Sequence, residues 1–355
     1  MTRASTLSDR ALVLLHAGLA NPTRTTYATG VRAYQRFCDE HRIPANDRLP
    51  ASEVRLIEFV AWCSLSVGPP TIRVYLAAIR SWHIDNGYGD SSAGRLQLAR
   101  VVRGVQRIAS QPRRLRLPLT IEILRRVWAI EIDQGWDDVL FRAAISLGFF
   151  AFLRLGELAV ADSNVAFDPS IHPTVGDISF LQHEQHGRYA TFRIKVSKTD
   201  PFRQGSTVHL GVTNSPICPV SALGTYLHFR RLVPPGAGIP LTSAPLFVCD
   251  DGRVLTKAIF IGMLRTRMRA AGLDNTAFTG HSLRIGAATT AAAAGLPDWL
   301  IKAMGRWKSD AYLRYVRTPV AQILAVSERL LSATVGPTAP SYPIDAPRRD
   351  TSTSA

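Results

Sequence analysis

The 355-residue chain carries 42 Lys and Arg against 27 Asp and Glu, a formal net charge of +15 and a pI near 10.3. Such an excess is the footprint of a polyanion binder, with nucleic acid the first candidate and an acidic membrane surface the second. A bilayer span is excluded by the longest apolar run, Ala143 to Leu153, which is too short to cross one. The start, MTRASTLSDR, has no apolar core behind its charge and is not read as a secretory signal. Cys38, Cys63, Cys218 and Cys249 are widely spaced, which argues against a disulfide framework or zinc ribbon and for free thiols in a reducing compartment.

Residues 7 to about 108 read as helical. In NPTRTTYATGVRAYQRFC, Val31, Tyr34, Phe37 and Cys38 fall on one helix face. ASEVRLIEFVAWCSLS is a second helix. PPTIRVYLAAIRSWHIDNGY is a third, with Pro70 in its first turn and Asn86-Gly87 at its end. SAGRLQLARVVRGVQRIA is a fourth. SQPRRLRLP, residues 110–118, is basic and proline-punctuated and reads as a linker.

The second half is mixed. TIEILRRVWAIEI and the run from Asp137 to Val160 read as helices. In ATFRIKVSKTDPFRQGSTVHL, Phe192, Ile194 and Val196 alternate and the pattern resumes at Val208 and Leu210, which predicts a β-hairpin with a charged turn. Further helices are expected over 220–231, 257–271, 282–294 and 299–304, then one through Tyr315, then PVAQILAVSERLL. The Ser/Thr/Pro-rich remainder has little to bury and reads as disordered. The fold class is therefore mainly α with a small β component. The expected domains are 1–109, a linker over 110–118, 119–332 and a tail over 333–355.

Four pieces along this order suit attack on a phosphodiester without a metal. That chemistry needs cations to stabilise charge on the non-bridging oxygens, a nucleophile, and an acid for the departing oxygen. Arg154 closes an apolar run and has Glu157 at i+3, within reach on one face. His281 and Arg284 project from the first turn of an alanine-rich helix, whose N-terminus favours an anion. Lys198, in VSKTDP at the end of the first hairpin strand and before the turn, is placed to reach a leaving oxygen as general acid, with Lys195 as competitor. In GRWKSDAYLRYVR, Trp307 offers an indole N–H and two tyrosines, Tyr312 and Tyr315, sit in a basic setting.

The ordered set Arg154, Lys198, His281-x-x-Arg284, Trp307, Tyr315 resembles the tyrosine recombinase, or phage-integrase, family. NPTRTTYATGVRAYQRFC and PPTIRVYLAAIRSWH resemble its N-terminal SAM-like helical core-binding domain. FLRLGELAV, VSKT, GHSLRIGAAT and GRWKSDAYLRY resemble its catalytic boxes. Tryptophan at 307, where many members have histidine, looks most like recombinases of Crypton- and DIRS-like eukaryotic mobile elements.

The resemblance implies a mixed α/β catalytic domain behind a DNA-binding bundle, the two closing as a clamp on DNA. Tyr315 would attack the scissile phosphate and form a 3′-phosphotyrosyl link. Arg154 and Arg284 would hold the phosphate oxygens, and Trp307 one non-bridging oxygen. Lys198 would protonate the 5′-hydroxyl, His281 would assist proton transfer, and Glu157 would brace the arginine box. The family's nucleophile lies eight or nine residues beyond the His/Trp position, which selects Tyr315 over Tyr312. Metal, cofactor and small-molecule substrate are not implied. The implied partner is a double-stranded DNA recombination site, engaged by a homo-tetramer of chains that are monomers or dimers when free. PVAQILAVSERLL would be the helix that packs into a neighbour.

DNA contacts are expected from Arg73, Arg80, Arg113, Arg114, Arg306 and Lys308. Localisation is intracellular, and nuclear in a eukaryotic host. Two rival readings are a type IB topoisomerase-like strand transferase and a catalytically silent DNA-binding protein derived from a recombinase.

Overall fold

The computed structural model describes residues 7–109, 117–132, 135–198, 200, 202–233, 238–314 and 316. The chain divides into two compact units, Met1–Arg114 and Leu115–Ala355.

The first unit is helical: α1 Leu7–Ala17, α2 Asn21–Glu40, α3 Glu53–Ser64, α4 Pro69–Asp85 and α5 Leu96–Ile108. Proline stands in the first turn of α2 and of α4, where its missing N–H costs nothing. Ser52 caps α3 by accepting the Arg55 N–H at 3.2 Å. The buried positions of α2, namely Gly30, Ala33, Tyr34, Phe37 and Cys38, recur at helical spacing. They meet α3 and α4 in an aromatic core. Tyr34 lies edge-on to Phe59 at 5.3 Å between ring centroids, and Phe37 lies 5.5 Å from Phe59.

The second unit contains α6 Ile121–Trp128, α7 Trp136–Phe150 and the short α8 Leu155–Leu158. Strands β1 Ile178–His183, β2 Gly187–Ile194 and β3 Ser206–Gly211 follow. Then come α9 Pro219–Arg230, α10 Lys257–Ala270, α11 Ser282–Ala293, α12 Asp298–Met304 and a 3-10 turn over Asp310–Arg314. The strands form one antiparallel sheet in the order β1-β2-β3, with Ala190 opposite Leu210 and Phe192 opposite Val208. In β2, Ala190, Phe192 and Ile194 are buried and alternate with more exposed neighbours. Helix α7 is buried along nearly its whole length and packs against α9 and α11.

Residues Leu117 and Leu119 donate backbone hydrogen bonds to Ala277 O and Ser282 O, at 3.1 and 2.9 Å. This lays the start of the unit along α11. Gly286 permits it, because a Cβ there would fall 1.7 Å from Leu119 O.

Three expectations are corrected. The single helix over 137–160 is broken: Phe152 takes a left-handed φ of 52°, and Leu153 N bonds back to Gly148 O at 2.9 Å, which terminates α7. The hairpin is the second half of a three-stranded sheet, since Ile178–His183 adds a strand. Strand β2 ends at Ile194, so Val196 and Lys198 lie in the β2–β3 connection. The linker residues 110–116, the helix PVAQILAVSERLL and the tail over 333–355 lie outside the described residues, as does Tyr315.

Candidate active site

The break after α7 makes the site. Arg154 stands at the N-cap of α8, and Glu157 at the third residue of that turn. The Glu157 side chain is 3% exposed and its two oxygens accept four hydrogen bonds. Oε1 accepts from Arg154 Nη1 and Ser197 Oγ, both at 2.9 Å. Oε2 accepts from the Arg154 backbone N–H at 3.0 Å and from Arg306 Nη2 at 2.8 Å. All the lone-pair positions of a carboxylate are thereby used. Burial alone would raise the Glu157 pKa. The Arg306 charge, the Arg154 amide and the Arg154 guanidinium outweigh it and hold the carboxyl below its ordinary value.

Arg306 has a left-handed φ of 53°. Its Nη1 donates to Ala151 O at 3.0 Å and to Met304 O at 3.3 Å. Burial pushes its guanidinium pKa down, against the pull of Glu157. Phe152 and Arg306, two non-glycine residues with positive φ, thus stand on segments joined by the Arg306–Ala151 hydrogen bond. Conformations of this kind cost about 1–3 kcal/mol each and gather where surrounding contacts over-determine them.

Arg284 joins the third segment. It projects from the first turn of α11, is 1% exposed, and donates to Phe152 O at 2.7 Å and to Gly305 O. Its guanidinium carbon lies 4.3 Å from the centre of the Trp307 ring, a cation–π distance. Trp307 is itself buried, edge-on to Phe152 at 6.4 Å and 6.1 Å from Tyr312. The ring lies so close over Gly305 that a Cβ there would meet it at 1.6 Å. Three segments far apart in sequence, 151–157, 284 and 304–307, thus converge through arginine-to-carbonyl and arginine-to-carboxylate bonds.

No family model matches the sequence. An integrase/recombinase xerD homolog of Selenomonas ruminantium is 24% identical over 319 residues, covering 87% of this chain and 85% of that one. Among solved structures, a XerH site-specific recombinase bound to palindromic difH substrate superposes with a TM-score of 0.59. It is 18% identical and covers 86% of this chain and 79% of that one. The Tn1549 transposon integrase in complex with transposon right-end DNA gives 0.54 at 16% identity, over 90% and 99%. The chain shares the fold of these recombinases.

The fold brings together Arg154, Glu157, Arg284 and Trp307. His281 is exposed at the N-cap of α11, with its backbone N–H 3.4 Å from Thr279 Oγ1. Lys198 is exposed in the β2–β3 connection. Its competitor is committed elsewhere: Lys195 Nζ lies 2.6 Å from Asp177 Oδ2 and donates to Pro169 O, His172 O and Thr174 Oγ1. Tyr312 is buried, and burial followed by the Asp298 and Asp310 carboxylates raises its pKa.

Of the expected DNA contacts, Arg73 and Lys308 are exposed, and Lys308 lies close enough to Asp200 for its charge to help hold that carboxyl below its ordinary value, behind the Gly205 amide. Arg80 is exposed but paired with Asp90 at 2.9 Å. Arg113 and Arg114 lie outside the described residues. Arg306 is a correction: its side chain is 14% exposed and bound to Glu157 and two carbonyls, so it braces the site from within. Sequence reasoning missed that role, and it missed Ser197. The signal for Ser197 was its place immediately before Lys198.

Proposed function

We propose that the chain cuts and rejoins DNA at specific sites through a 3′-phosphotyrosyl intermediate, with Tyr315 as nucleophile. The observation that carries this reading is the convergence of the 151–157, 284 and 304–307 segments around Glu157 and Arg284. Convergent guanidinium groups suit the charge that builds on a phosphate under attack. Tyr315 gives up its phenol proton with the help of His281 as base, its oxygen bonds to phosphorus, the bond from phosphorus to the 5′-oxygen breaks, and Lys198 gives that oxygen its proton. Arg154, Arg284 and Trp307 hold the non-bridging oxygens. The energy of the broken bond is kept in the phosphotyrosine, and a second DNA 5′-hydroxyl reverses the step.

Tyr312 is buried and its phenol pKa is raised, which counts against it as nucleophile, since a nucleophile gains from easier loss of its proton. Synapsis as a homo-tetramer on two duplexes, a mobile-element origin near the Crypton- and DIRS-like recombinases, and nuclear action in a eukaryotic host complete the proposal. The last two rest on Trp307 and its surrounding motif.

The test is DNA recovered covalently bound to the full chain under denaturing conditions, from cells expressing it, and then sequenced. Wild type and Tyr312→Phe should yield adducts sharing one sequence, and Tyr315→Phe none. Adducts that persist in Tyr315→Phe, or vanish in Tyr312→Phe alone, would overturn the assignment. One observation favours a silent DNA-binding protein instead: Arg284 is turned to two carbonyls and covered by Trp307. That reading predicts sequence-specific binding with no adduct from wild type.

A further inference from the structure

We infer that Ser197 is a positioning residue that ties the turn carrying Lys198 to the arginine box, so that the leaving-group acid and the phosphate clamp are set as one unit. The inference rests on the recombinase reading above.

Ser197 Oγ accepts from Arg154 Nη1 at 2.9 Å and donates to Glu157 Oε1 at 2.9 Å. A hydroxyl has one proton to give, and here it goes to the buried carboxylate. The backbone of the same residue opens a turn: Asp200 N–H donates to Ser197 O at 3.0 Å, which puts Lys198 at the second position. The far end of that turn is pinned as well, by Gly205 N–H on Asp200 Oδ2 at 2.8 Å. Lys198 is exposed and lies between the two anchors. Glu157 is held independently of the turn by Arg306 and by the Arg154 amide, and Arg154 keeps its own bond to Glu157. Removing the Ser197 hydroxyl therefore loosens the turn while leaving the arginine box bonded.

The chemistry separates the two effects. Expulsion of a 5′-oxygen needs a proton, whereas a 5′-sulfur leaves as a thiolate without one, because its conjugate acid is far stronger. A loosened Lys198 turn should slow only the first.

The experiment uses the full chain and a nicked duplex bearing the sequence recovered from its covalent adducts, made with either a 5′-oxygen or a 5′-sulfur at the scissile bond. Ser197→Ala should form the adduct about tenfold more slowly on the oxygen substrate, with the sulfur substrate within about threefold of wild type. Lys198→Ala should show the same pattern more strongly, by about 10²-fold or more, and Ser197→Thr should restore the oxygen rate. Equal slowing of Ser197→Ala on both substrates, no slowing on either, or no rescue by threonine would overturn the inference. Absence of any adduct from wild type on either substrate would instead remove the recombinase reading itself. Ser197 is small and only partly buried, and a thermal melt of Ser197→Ala checks that it folds.

Discussion

In the helical unit of residues 1–114 the buried Tyr34 and His83 bond to the backbone, whereas in the unit from 115 onward buried charged side chains bond to one another. In the first, the Tyr34 hydroxyl donates to Arg48 O at 3.1 Å, and His83 bridges two backbone groups. Neither shares a partner with the other. In the second, Glu157 links Arg154, Ser197 and Arg306, and Asp138 links Arg142 and Arg267, each at 2.6 Å. Charges taken out of water cost several kcal/mol unless their partners are all in place. A linked set therefore fails together when one member is lost, while an isolated buried group fails alone. The bundle is built for packing. The second unit accepts the risk of buried charge where it assembles three distant segments.

The largest break in this contrast is Glu157→Gln. An amide nitrogen would replace one acceptor oxygen and confront donors, and the neutral amide would leave both Arg154 and Arg306 without the carboxylate charge they pair with. Stability of the second unit should fall by about 3–5 kcal/mol. Adduct formation should fall by at least about 10²-fold, because displacing Arg154 misplaces the phosphate. Denaturant unfolding and the adduct assay read the two effects. A fully active, fully stable Glu157→Gln protein would mean that the four hydrogen bonds contribute nothing.

A comparable core change in the bundle should separate the two quantities. Phe59 is fully buried against Tyr34, Phe37 and Trp62. Phe59→Ala should cost about 3–5 kcal/mol through lost contact and a residual cavity. At a temperature where the variant remains folded, the rate of adduct formation on saturating DNA should stay within about threefold of wild type. A loss of chemistry as large as that of Glu157→Gln would show that the bundle's packing and the site are energetically one.

The same contrast explains what the sequence makes legible. Helix periodicity in Tyr34, Phe37 and Cys38 reports a one-sided apolar face, and it survives folding unchanged. The motif residues Arg154, Glu157, Arg284 and Trp307 are legible as boxes, and the fold brings them together. The break at Phe152 is not legible, because an apolar run that is buried on every side has no periodicity to interrupt. Strand β1 was missed because ISFLQH buries only its first residue and leaves mostly half-wet or exposed positions after it. Arg306 reads as one of several cations near a tyrosine. Only the left-handed turn at 306 aims it inward at Glu157. Ser197 depends on residues forty positions away, which no local pattern encodes.

The smallest effect sharpens the comparison through pH. His83 Nε2 accepts the Ala51 N–H at 2.8 Å, so its proton sits on Nδ1 and is donated to Ile79 O at 2.7 Å. Burial holds the His83 pKa below 6.5. The unfolded chain takes up this proton more readily than the folded one. The stability it represents is therefore complete above about pH 6.5 and is lost as pH falls from there toward the lower folded value. Glu157 is also depressed, but from 4.5, so its contribution is complete above that value and is lost only below it. His172 in the second unit is likewise held down by burial, and its loss should fall on the 168–174 loop, where its ring accepts the Asp168 N–H at 2.9 Å. Acidification from about pH 7 to about pH 5 should therefore weaken the bundle before the arginine box. Amide hydrogen exchange, corrected for its intrinsic pH dependence, should show protection falling in α3 and α4 and holding at Arg154 to Leu158. In His83→Gln the bundle should start less protected and lose this pH dependence. Equal loss in both regions, or an unchanged slope in the variant, would mean that another group titrates.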